Sequence, residues 1–83
     1  MGIESIAAKL DKYFGRLEDG KAKKIKPSHV QKAIDKLRTK QKLLEDERRE
    51  AEKPSKIARL DKKLATVAEQ ITRAEWLLAK IGA

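Results

Sequence analysis

The strongest constraint on this chain is a stripe of apolar side chains between residues 57 and 81. Ile57, Leu60, Leu64, Val67, Ile71, Ala74, Leu78 and Ile81 recur at alternating spacings of three and four residues. A strand repeats every two residues, whereas this seam repeats every 3.5, so the segment reads as a helix with one continuous buried face. A second stripe precedes it: Val30, Ile34, Leu37, Gln41, Leu44, Arg48 and Ala51 keep the same rhythm. Two of its members are polar, which weakens the seam toward its C-terminal end. Ala, Leu, Lys, Glu, Gln and Arg dominate both segments, so local helix propensity agrees with the pattern.

Punctuation sets the boundaries. Pro27 and Pro54 each bias the preceding residue away from the helical region and lack the N–H that a helix interior needs. Gly20 suits the left-handed position that closes a helix. The expectation is a single all-α domain over 1–83: helix one at about 3–18, a basic connection at 19–27, helix two at about 28–52 and helix three at about 55–81. Ser28 followed by Gln31 fits a capping box at the start of helix two. A turn as short as Lys53-Pro54-Ser55 folds the long helices into an antiparallel, coiled-coil-like hairpin. That alignment sets Ala51 against Ile57, Leu44 against Leu64, Leu37 against Ile71 and Val30 against Leu78. Acidic residues Glu45, Asp46, Glu47, Glu50 and Glu52 then meet Lys56, Arg59, Lys62 and Lys63 beside the seam. Glu47 with Lys63 is the expected flanking pair. Exposed pairs contribute about 0–1 kcal/mol each, so they select register more than they hold it.

Helix one carries Ile3, Ile6, Ala7, Leu10, Phe14 and Leu17 on one face. At 1.5 Å per residue it is roughly 22 Å long, little more than half the hairpin. It is expected to dock at the open end, where Ala33, Ala68 and Leu77 lie off the seam. Gly15 and the carboxylates Glu18 and Asp19 weaken its last turns, so fraying is expected after Phe14. The tapered end at Pro54 is expected to be under-covered, with Leu60 and Leu64 facing Arg48 and Leu44 and with Leu43 off the seam. A second copy would cover that strip, or long Lys and Arg stems would shield it. Leu-Asp-Lys at 10–12 and 60–62 comes at unequal intervals with Ile-Asp-Lys-Leu at 34–37, and implies no repeat array.

Composition narrows function by exclusion. With no cysteine and one histidine among 83 residues, a disulfide framework, a thiol nucleophile and His-pair metal sites are ruled out. No apolar run reaches the ~18 residues of a spanning helix. Ile6 stands where a myristoylation signal requires Ser or Thr, and no secretory signal core is present, so a cytoplasmic location is expected. His29 has no nucleophile or second ligand near it in sequence, and Tyr13 and the acidic stretch form no acid/base pair. No glycine-rich phosphate loop occurs. The chain is therefore expected to be non-catalytic, with no cofactor and no small-molecule substrate.

The net charge of +8 is concentrated in one block. Residues 21–42 hold nine basic residues, Lys21, Lys23, Lys24, Lys26, Lys32, Lys36, Arg38, Lys40 and Lys42, against the single carboxylate of Asp35. Such a block is the electrostatic footprint of a surface that meets nucleic acid or another polyanion. It holds one arginine, whereas bidentate reading of guanine is chiefly arginine's work. No aromatic interleaves with its lysines in sequence, and the spacing is not that of a helix-turn-helix. Binding there would be indifferent to sequence; the plainer alternative is a solvated face that confers solubility. Trp76 falls outside the seam, either covered by helix one, stacked under Arg73 or Lys80, or left with Leu43 as a contact for a partner. Residues 1–20, which contain helix one, have a net charge of −1 and a modest apolar face, which argue against a membrane surface. The expected role is a small helical binding or assembly module whose partner is a protein or a second copy, with nucleic acid as the alternative.

Overall fold

The structure, a computed structural model, describes residues 3–82. The place given to Ile3 on the apolar face lies outside the described residues, because its side chain is not among them. The chain forms α1 (Ile3–Glu18), a single turn of 3-10 helix (Ala22–Lys24), α2 (Pro27–Glu50) and α3 (Pro54–Gly82), with no strand among the described residues. Helices α2 and α3 pack along their length as an antiparallel hairpin, and the shorter α1 lies against both at the open end. The molecule measures 48 × 19 × 17 Å. No helix among the described residues is long and apolar enough to cross a membrane.

Both long helices start on a proline, for the same reason. Lys26 is extended (φ −85, ψ 122) and Pro27 takes the first helical position. The steric clash that pushes a pre-proline residue out of the helical region makes Lys26 the N-cap, and the missing proline N–H is one that the helix leaves unpaired anyway. Lys53 repeats the arrangement: its carbonyl accepts from the N–H groups of Lys56 and Ile57, both at 3.0 Å, so Pro54 opens α3. The helices fall within one or two residues of the approximate bounds expected: helix two runs 27–50, helix three runs 54–82, and the turn is Ala51-Glu52-Lys53. The proline start removes the capping box. Ser28 lies inside the helix, the N-cap Lys26 makes no side-chain capping hydrogen bond, and Gln31 Nε2 donates to Asp35 Oδ1 at 3.0 Å instead.

Helix α1 continues past Phe14 and Gly15 to Glu18, so the expected fraying is not seen. Gly20 closes it with a left-handed φ of 74°. The Lys21 N–H donates to the Arg16 carbonyl at 2.8 Å and the Gly20 N–H to that of Leu17 at 3.1 Å. This is the paired closure of a Schellman motif, which satisfies carbonyls the helix end would leave free.

Leu10, Val30, Leu37, Val67 and Leu77 are the largest fully buried side chains. Each contributes about 1.5–3 kcal/mol by leaving water. Ile6, Ile25, Ala33, Ile34, Leu44, Leu60, Ile71 and Ala74 complete the core. Leu77 is fully buried where α1 docks, as expected, but Ala68 is exposed, the seam residues Leu78 and Ile81 are only half-buried, and Ile25, within the basic connection, is 2% exposed. The docked α1 widens the buried arc beyond a two-helix seam, taking in Leu77 but not Ala68. Ile25 joins the same core.

The tapered end is covered only in part. Leu44 and Leu60 are 2% and 3% exposed there, but Ile57 and Leu64 are half-buried and Leu43 is 54% exposed. The hairpin itself buries the centre of the seam, and long polar stems flank its edges. The flanking pair is Arg48 with Asp61, not Glu47 with Lys63, and Arg38 pairs with Glu75 at 3.5 Å farther along. Both link α2 to α3 as antiparallel helices require.

Candidate polyanion interface

Helix α1 runs parallel to α3 and antiparallel to α2, and this places its two flanks differently. On the α3 flank, Phe14 stacks on Trp76 with ring centroids 5.7 Å apart and planes 17° apart, and Arg73 pairs with Asp11. Arg73 lies over the ring of Phe14 at 4.7 Å, and Lys80 Nζ stands 5.3 Å from the ring of Trp76. Trp76 is thus stacked by Phe14 and Lys80, not by Arg73, and remains 49% exposed. Leu43 is 54% exposed.

On the α2 flank, Ile6, Lys9 and Tyr13 of α1 face His29, Lys32, Ala33 and Lys36 of α2 across a groove of about 240 Å³. These positions follow from helical periodicity: His29, Lys32, Ala33 and Lys36 are three or four residues apart and share one face, as do Ile6, Lys9 and Tyr13. Ile6 and Ala33 belong to the buried core, so the floor of the groove is apolar, and the charged ends stand around it. Arg16 sits 5.8 Å from the centroid of the Tyr13 ring, and its Nη1 donates to the Lys24 carbonyl at 3.4 Å, tying α1 to the connection.

The nine basic residues of the block do not form one patch. Lys21, Lys23, Lys24 and Lys26 are exposed around the connection, and Lys32 and Lys36 rim the groove with Lys40, half-buried, one turn farther along the helix. Arg38 leaves this face: it lines an open depression with Pro27, Gln31, Ile34, Leu78 and its partner Glu75. Lys42 is exposed one turn beyond Arg38. Asp35, the only carboxylate in the block, accepts from Gln31. None of the block's eight lysines has an ion-pair partner among the described residues.

Chemically, the groove offers donors. Lys9, Lys32 and Lys36 bring ammonium groups, Tyr13 a hydroxyl and His29 an imidazole, and no carboxylate among the described residues lines it. Lysine can only donate, so the matching ligand is rich in acceptors and negatively charged. Lys9, Tyr13 and His29 were not among the sequence candidates for anion contact. Periodicity shows which residues share a helix face, but not which flank of the hairpin α1 chooses.

No protein-family model, no curated protein and no solved structure matches this chain.

Proposed function

We propose that this protein is a non-catalytic binding module that holds a polyanion, nucleic acid foremost, against the basic face of α1 and α2, without choice of sequence. The observation that carries this reading is the arrival of Lys9, from outside the basic block, beside His29, Lys32 and Lys36 in a groove lined by no carboxylate among the described residues. Lys9, His29, Lys32 and Lys36 border the same groove, and an anionic ligand seated there would meet like charge from both helices. The exposed lysines of the connection extend the same field toward a phosphate backbone. Sequence indifference follows from the shortage of arginine, since the block's only one, Arg38, is engaged with Glu75 away from the groove.

A salt titration of binding to a labelled oligonucleotide tests the reading. Counterion release makes log K fall linearly with log salt, with a slope near −0.9 per duplex phosphate contacted and −0.7 per single-strand phosphate. A slope of about −3 or steeper supports the proposal. No binding at low salt, or binding insensitive to salt, refutes it. A narrower second reading rests on exposed Leu43: a protein partner or second copy at the tapered end. Light scattering checks self-association, with Leu43→Glu expected to abolish any dimer found.

A further inference from the structure

We propose that the groove between α1 and α2 seats a short single-stranded stretch of nucleic acid, with successive phosphates on Lys9, Lys32 and Lys36 and one unpaired base against the ring of Tyr13. The preferred ligand is then single-stranded nucleic acid rather than duplex. This rests on the polyanion reading and gives that ligand a form.

Tyr13 carries the argument. No aromatic stands among the lysines in sequence, yet the docking of α1 inserts one: Tyr13 shares the groove with Lys9, Lys32 and Lys36. Its ring is half-buried and packed against the core, so it is held in place before any ligand arrives. Arg16 lies 5.8 Å from its centroid, a cation that can add to a stack on the same ring. The groove has two chemical halves. Its rim presents donors and positive charge, which suit an acceptor-only phosphate. Its floor and wall, Ile6, Ala33 and Tyr13, are apolar and aromatic, which suit a flat base. A sulfated sugar, a polyphosphate or a lipid headgroup would satisfy the rim and leave the wall unused. A duplex would also meet the lysines, but its bases are stacked on one another and cannot enter.

The Phe14–Trp76 shelf on the opposite flank is a poorer platform. Arg73 is engaged by Asp11 and Glu69 lies at its edge, so the positive charge there is largely cancelled.

The test uses the full chain and three ligands of matched charge: labelled oligothymidine, a DNA duplex and heparin. Fluorescence anisotropy should show oligothymidine binding about tenfold tighter than the duplex, the scale of one stacked base. Tyr13→Phe keeps that preference because the ring remains. Tyr13→Leu removes it while leaving the salt slope unchanged, and a thermal melt confirms that the variant stays folded. Equal affinity of the wild-type chain for single strand and duplex overturns the proposal but leaves the polyanion reading standing, as does a single-strand preference that survives in folded Tyr13→Leu. Failure of all three ligands to bind at low salt overturns both.

Discussion

The two ends of the molecule are built differently. At the open end, α1 rests on the hairpin and adds Leu10 to a core that holds Val30, Ala33, Ala74 and Leu77, with Ile25 of the connection buried as well. At the Pro54 end there are only two helices, and Leu44 and Leu60 are covered by the hairpin itself. Charge divides along the same line. The open end gathers Lys9, His29, Lys32 and Lys36 around one groove, whereas the other end alternates signs and joins Arg48 to Asp61. The open end has both the thickest core and the least compensated charge. A surface that must hold like charges together needs a rigid support beneath it, and the third helix supplies one.

Core truncations give the largest expected effects. Leu77→Ala should cost about 3–4 kcal/mol in denaturant unfolding, because a three-layered site collapses poorly around a lost side chain. Leu44→Ala should cost nearer 2 kcal/mol, because a two-helix end relaxes more easily into the space. Equal losses would show that the two ends are packed alike.

Gly20→Ala should cost about 1 kcal/mol. A methyl group there meets no neighbouring atom, so the cost is that of placing an L-residue at φ 74°, and it falls on the junction that ties α1 to the hairpin. Hydrogen exchange should locate the loss in α1 and leave protection in α2 and α3 nearly unchanged; uniform loss would mean that α1 and the hairpin open as one unit.

The smallest effect is expected where the hairpin end shows its clearest polar contact. Arg48 and Asp61 are each about half exposed. Asp61→Asn should therefore change stability by less than about 1 kcal/mol, and the change should shrink further in high salt. A larger, salt-resistant loss would make that pair a true clamp on register.

Much of this architecture is legible in the residues alone. The rhythm from Ile57 to Ile81 specifies α3, the prolines mark where the long helices begin, and Gly20 marks where α1 ends. The errors have physical causes. Reading Ser28 as an N-cap overlooks that a pre-proline residue is already forced to be extended, so Lys26 and Lys53 hold that role. A strict three-and-four rhythm puts Leu78 at the centre of the seam because it describes two helices alone, whereas the docked α1 shifts the buried arc toward Leu77 and leaves Leu78 half-buried. Ile25 hides because a lone apolar residue among lysines carries no period. The groove is the least legible part. Lys9 and Tyr13 are far from Lys32 and Lys36 in sequence, and only the side of the hairpin on which α1 docks brings them together. That choice of flank leaves no mark in either helix's own periodicity.

The claim that position, and not merely net charge, makes the open end a polyanion surface is tested by two matched triple variants. Lys9, Lys32 and Lys36 are changed to Gln in one, and Lys56, Lys62 and Lys63 to Gln in the other, so both lose three positive charges. In salt titrations of oligonucleotide binding, the open-end triple should flatten the slope by about two to three, close to one unit per lysine. The hairpin-end triple should leave the slope as it is in the unaltered chain. Equal flattening in the two would contradict the account.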